Sequence, residues 1–279
     1  MFKSFTGVDH AVIAVRDLDA ARESFERMGF TVTPRGHHTL GTQNHCVMLG
    51  SDYLELLAVP LVHDTTRYYK EFLAAGEGLA AVALATPSAD RAYTEWVWAG
   101  VSPSRVVDLA RPVGTADGGH HARFRITQLP LRATPGLRFF ACQHLTPEHV
   151  WRSDWQTHAN GTTGIAAIAV LCDAGRIAGT AKHYAKALGG TPRAVPDATL
   201  LDLGKTSIAF LEETGFASRW PALALPSRPH PVAAALFLRA DRDAAEAALR
   251  RGGFAPQRMP DGSVALDAGL AHGIALLFG

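Results

Sequence analysis

The chain has 279 residues, an apolar fraction of 47%, and 27 Lys plus Arg against 26 Asp plus Glu, for a net charge of +1. That length and composition fit one large or two ordinary globular domains with an ample core, and the balanced charge supplies no field to attract nucleic acid or an anionic membrane. The longest apolar runs, such as residues 165–172, fall well short of the ~20 residues of a membrane span, and the first six residues lack the apolar centre of a signal peptide. Cys46, Cys142 and Cys172 have no metal-like spacing and suit buried, reduced thiols, so the expected location is soluble and cytoplasmic.

Residues 7–60 hold a complete structural unit. An apolar strand pattern (Val12, Ile13, Ala14, Val15) turns at Asp17, whose carboxylate suits the unpaired amides of a helix start. Ala20, Ala21, Phe25 and Met28 then recur at helical spacing. Gly29 stops the helix, because glycine tolerates the left-handed backbone of a helix end. Three strand-like runs follow, at residues 30–33, 46–49 and 53–59, giving the order βαβββ. Between the first two lies PRGHHTLGTQN (residues 34–44), where donors packed among glycines suit close approach to a small polar substrate. His38, Thr42 and Asn44 are its expected contacts, with turn capping the alternative role for Thr42 and Asn44.

Residues 64–78 read as a connecting helix. From Gly78, GLAAVALATPSADRAYTEWVWAGV reads as strand then helix, followed by strand runs at Val106 and Val107, ARFRITQL and LRFFACQH. A longer glycine-containing loop at residues 112–121 is a place where functional insertions sit. The order returns from residue 164. AAIAVLCD echoes AVIAVRD, GTAKHYAKALGG gives a helix with a glycine stop, and LLDLGKTSIAFLEE parallels CVMLGSDYLELLAV. Residues 231–279 repeat it once more. Four βαβββ modules are therefore expected in an α+β fold, grouped as 1–160 (modules one and two) and 161–279 (modules three and four), since one such unit cannot cover its own sheet.

Through DHAVIAVRD, RGHHTLGTQN, YLELLAV, FFACQHLTPEHVW and HANG, the chain resembles the vicinal oxygen chelate superfamily, in its glyoxalase-like group. The resemblance implies paired modules forming cupped sheets, with a divalent metal (Zn, Mn, Fe, Co or Ni) in the cup that binds two neighbouring oxygens of a substrate. His10, near the start of the first strand, and Glu55, in the last strand of that module, stand where this family places metal ligands. Glu55 is flanked by Leu54, Leu56 and Leu57, and a carboxylate in such a strand must be paired, metal-bound or exposed.

The other modules depart from the pattern. Aligning residues 11–15 with 166–170 sets Ile165 opposite His10, and aligning 53–57 with 208–212 sets Phe210 opposite Glu55. The fourth module offers Ala234 and Ala275; the second offers Ala80 or Ala81 with Phe139, Phe140 or Cys142. A catalytic metal commonly has three protein ligands. His144 is the preferred third, because strand alternation puts it on one face with Phe140 and Cys142; His121 and His158 are the other candidates, and His158 is also a candidate substrate contact. The expected function is a metal-assisted lyase or isomerase acting on a small oxygenated molecule, with His10 and Glu55 catalytic and Glu55 alternatively the base. The alternatives are a non-catalytic drug-sequestering protein of the bleomycin-resistance kind and an extradiol dioxygenase. The last is disfavoured, since that group keeps its metal in the second pair of modules. Expected partners are a small-molecule substrate and a second copy in a homodimer, with neither nucleic acid nor membrane.

Overall fold

A computed structural model of the chain describes residues 1–39, 41–61, 64, 66–112 and 121–279. The first module comprises β1 (Gly7–Ala14), α1 (Leu18–Arg27), β2 (Gly36–His37), β3 (Gln43–Met48) and β4 (Tyr53–Ala58), and α2 (Arg67–Ala74) links it to the second. The second module comprises β5 (Gly78–Ala85), α3 (Ala89–Trp98), β6 (Val107–Pro112), β7 (His121–Gln128) and β8 (Arg138–His144). The third runs β9 (Gly164–Leu171), α4 (Ile177–Leu188), β10 (Arg193–Val195), β11 (Ala198–Leu203) and β12 (Thr206–Leu211), and is followed by α5 (Glu213–Arg219). The fourth runs β13 (Val232–Arg239), α6 (Arg242–Arg251), β14 (Gln257–Arg258), β15 (Val264–Leu266) and β16 (Ala275–Phe278). No helix among the described residues is long and apolar enough to cross a membrane.

Local chemistry sets these elements as the sequence suggests. Asp17 accepts from the amides of Asp19 and Ala20 to start α1, and Gly29 takes a φ of 88° just past its end. The run at residues 30–33 is not a ladder strand. Thr33 bonds Cys46 through both its amide and its hydroxyl, but Pro34 has no N–H with which to continue a ladder, and pairing begins at Gly36. The expected loop at 112–121 lies, apart from its two end residues, outside the described residues.

The modules pair into two eight-stranded sheets, β2-β3-β4-β1-β5-β8-β7-β6 and β10-β11-β12-β9-β13-β16-β15-β14. In each, the two central strands run antiparallel and each is flanked by the parallel last strand of its own module. One face of both sheets shares a continuous apolar core with the helices, joining Ile13, Phe25 and Trp96 to Ile168, Tyr184 and Phe278. Trp96 carries its indole N–H across this core to the Ala187 carbonyl at 2.8 Å. The opposite, cupped faces hold separate clusters.

Bulges fix the register between modules. Along β1 and β5, Val8 faces Leu84 and His10 faces Ala83, leaving Asp9 extra; Val12 faces Ala81 and Ile13 faces Leu79, leaving Ala80 extra. The second sheet repeats both bulges, at Ala166 in β9 and Ala234 in β13. Counting from the bulge, the counterparts of His10 are Ala81, Ala167 and Ala235. Glu55 lies beside Val12, two residues beyond His10, so its counterparts are Phe140, Ala209 and Leu277. This corrects the sequence alignment, which had set Ile165 and Phe210 opposite the two, and Ala234 and Ala275 in the fourth module. Apolar strands slide past one another in an alignment without penalty, whereas a bulge pins them.

Candidate active site

The site begins at the bulge. In a regular strand Asp9 and His10 would point to opposite faces, but the extra residue re-aims the chain, and the Asp9 carboxylate Oδ2 lies 2.6 Å from His10 Nδ1. The same oxygen lies 3.0 Å from Nε2 of His144, at the end of β8. Burial acts to raise the Asp9 pKa, but the hydrogen bonds and charges of His10 and His144 outweigh it and hold the carboxyl well below the ordinary range. A carboxylate only accepts, so His10 carries its proton on Nδ1 toward Asp9 and presents Nε2 to the cup. Tyr53 stacks on the His10 ring at 4.4 Å and Phe140 meets its edge at 5.4 Å, which fixes the ring plane.

Strand alternation on β4 sends Leu54, Leu56 and Ala58 into the shared core and Tyr53, Glu55 and Leu57 into the cup. Glu55 Oε2 lies 3.6 Å from His10 Nε2, and Oε1 lies 3.8 Å from His38 Nε2. Asn44 donates to Oε1 at 2.6 Å from the neighbouring β3. Thr42 Oγ1 lies 2.8 Å from His38 Nδ1 and orients that ring in turn. Burial pushes the His38 pKa down to about 4, the opposing pull of Glu55 being outweighed, so His38 is neutral at pH 7. The structure thus brings His10, His38, Thr42, Asn44 and Glu55 to one cavity, whose volume is about 680 Å³ with its mouth included. Tyr69 of α2, Leu109, Phe124, Ile126 and Phe140 supply an apolar wall, and Arg111 adds a cation.

The remaining candidates lie elsewhere. His144 binds Asp9, on the Nδ1 side of His10, and is not brought to Glu55. His158 is buried away from the cavity, accepting from the Thr31 amide at 3.0 Å and donating to the Met48 carbonyl at 2.8 Å. His121 is exposed at the start of β7, and its carbonyl accepts from Thr146 and His149. All three cysteines are free and buried, as expected from their spacing. Asp9 and Arg111 were missed. The bulge that makes Asp9 useful leaves no mark in the sequence, while the alternation of Leu109 and Arg111 on one strand face was a readable signal.

Two groups of side chains bear on metal binding. Asp9, Cys142 and His144 have ligand atoms within 4.8 Å of one another, but Asp9 already accepts from two imidazoles, and burial pushes the Cys142 thiol well up. His10, Glu55 and His38 fit better. Two imidazole nitrogens face one carboxylate at 3.6 and 3.8 Å, beyond hydrogen-bond length, and with Nδ1 given to Asp9, His10 turns Nε2 toward that carboxylate. This donor set of two imidazoles and a carboxylate suits first-row divalent metals.

The glyoxalase-like domain model matches residues 8–188, which include all of the first sheet but Gly7, and its cup. No curated protein matches the chain. Among solved structures, a hypothetical protein from Staphylococcus aureus is 12% identical, with 98% of each chain covered and a TM-score of 0.68. A xylose isomerase-like TIM barrel/4-hydroxyphenylpyruvate dioxygenase fusion protein is 17% identical over 92% of this chain and 40% of its own, with a TM-score of 0.60. A mutant of 4-hydroxymandelate synthase from Streptomyces coelicolor is 15% identical over 92% of this chain and 78% of its own, at 0.57. At such identities these structures speak for the fold, which is that of the vicinal oxygen chelate superfamily, and not for a reaction. With the family model spanning well over half of its length, this chain belongs to the glyoxalase-like domain family.

Proposed function

We propose that the cup of the first sheet is an active site that binds a small oxygenated molecule and moves a proton on it, in lyase or isomerase chemistry. The observation that carries this reading is the buried pair of His10 Nε2 and Glu55 Oε2, 3.6 Å apart and facing the same cavity. Each is held from behind. Asp9 fixes the tautomer of His10, and Asn44 occupies Oε1 of Glu55, leaving Oε2 to accept a proton from a substrate placed against it. Neutral His38, braced by Thr42, sits close enough to bond a substrate hydroxyl or carbonyl. The apolar wall keeps water from competing for those bonds. A divalent ion held by His10 and Glu55, with His38 beside them, would polarise the bound oxygens as a Lewis acid.

The extent of that apolar wall favours a second reading, in which the cup sequesters a small molecule without reacting with it. An extradiol dioxygenase is disfavoured: in the second sheet the counterparts of His10 and Glu55 are Ala167 and Ala209 in one module and Ala235 and Leu277 in the other. Ion content measured on protein purified without chelator, followed by titration of Mn and Zn, separates the two surviving readings. The enzyme reading expects about one ion per chain, weakened about 10- to 100-fold by His10→Ala or Glu55→Gln. Because Asp9 holds His144 back, His38→Ala should weaken binding more than His144→Ala. A wild-type protein that binds none of these ions supports sequestration instead.

A further inference from the structure

Among the described residues that line the cup, Arg111 is a charged side chain that the proton-transfer machinery does not use. It sits on β6 facing the cavity, is only 6% exposed, and among the described residues its guanidinium has no hydrogen bond or ion pair. The carboxylate in the same cavity, Glu55, bonds Asn44 through Oε1 and forms no ion pair with Arg111 among the described residues. A buried guanidinium without a partner is costly, and the surroundings make room for it nonetheless. A Cβ on Gly36 would stand 3.0 Å from Arg111 Nη1 and 2.4 Å from Asn44 Oδ1, an oxygen that is itself buried without a partner. Glycine at position 36 therefore leaves room for the Arg111 guanidinium and the Asn44 amide to pack against β2.

Resting on the reading of this cup as a substrate site, we propose that Arg111 is its specificity-determining residue and that the substrate is a carboxylic acid with an apolar body. The guanidinium fork matches a carboxylate in two parallel hydrogen bonds. The carbon skeleton then lies along Leu109, Phe124 and Ile126, with its reacting end toward His10 and Glu55.

Calorimetric titration of the full chain with benzoate, phenylacetate and 3-phenylpropionate, each against its primary amide and against phenyl phosphate, tests this. At least one acid should bind about tenfold or more tightly than its amide; Arg111→Gln should abolish that preference and Arg111→Lys should keep part of it. Without ligand, Arg111→Met should melt at a higher temperature than wild type, since it removes an unpaired buried charge, whereas a purely structural arginine would give a lower one. The proposal is overturned if acids and amides bind alike, if phenyl phosphate binds more tightly than every acid, or if the preference survives Arg111→Gln. Loss of the preference in Glu55→Gln but not in Arg111→Gln would also overturn it while leaving the active-site reading in place.

Discussion

The two cups are built on the same strand order and the same pair of bulges, yet one is open and polar while the other is filled. In the first, α2 follows β4 and contributes Tyr69 to the wall of a cavity, while its Tyr68 turns aside to bond the Ala80 carbonyl. In the second, α5 follows β12 at the equivalent point and delivers Phe216 and Trp220 into the cupped face, against Leu223, Ala235 and Leu277. Phe237 of β13 closes on Trp220 at 4.9 Å. The four bulge residues are Asp9, Ala80, Ala166 and Ala234. The first cup differs in that one of its extra residues, Asp9, carries a carboxylate and the neighbouring helix leaves a cavity beside it.

The largest expected effect comes from emptying the second cup. Phe216 is fully buried, so Phe216→Ala should destabilise the protein by about 3–5 kcal/mol in urea unfolding; a loss under about 1 kcal/mol would mean that α5 is not a plug. Next is Asp9→Ala, which gives the first sheet the alanine of the other three bulges. It should lower divalent-ion affinity about 10- to 100-fold by releasing His10, and an unchanged titration would remove Asp9 from the site.

The junction of the two halves sharpens the comparison further. Asp52 accepts from the Ile165 amide at 3.0 Å, with Arg239 3.5 Å away, and burial, only partly offset by these partners, pushes its pKa up from 3.8 to about 6. A carboxyl whose folded value is raised contributes stability below pH 3.8 that is lost as the pH rises to about 6. Asp52→Asn keeps the acceptor and should flatten that slope, leaving the variant about 1–3 kcal/mol more stable than wild type at pH 7.5. Equal pH profiles for the two proteins would contradict it. The smallest effect is expected at His158, which clips Thr31 to Met48 outside the cup. His158→Gln should cost about 1–2 kcal/mol and leave ion and ligand titrations unchanged.

Much of the fold was legible because the module recurs and its signals are local: the Asp17 cap, the Gly29 stop, and the apolar strands that follow. His10, Glu55, His38, Thr42 and Asn44 were legible for a related reason, since polar residues inside apolar strands or among glycines stand out. What could not be read were facts of register and of distance in sequence. Alanine-rich strands such as residues 166–170 align equally well in several offsets, so the counterparts of His10 and Glu55 came out shifted until the bulges at Ala166 and Ala234 fixed them. His144 has the right strand parity to face the cup, but Asp9, 135 residues away, captures it. His158 stands out as a candidate ligand and substrate contact, while its two ring nitrogens are spent on backbone groups of the segment after α1 and of β3.

The central claim, that one cup of the two carries the chemistry and that it does so between His10 and Glu55, is tested most directly by anomalous diffraction from crystals of the wild-type protein soaked in manganese. One strong peak per chain touching both His10 and Glu55 is the expected result, absent in Glu55→Gln crystals. A peak on Asp9, Cys142 and His144, a peak in the second cup, or no peak at all would contradict it.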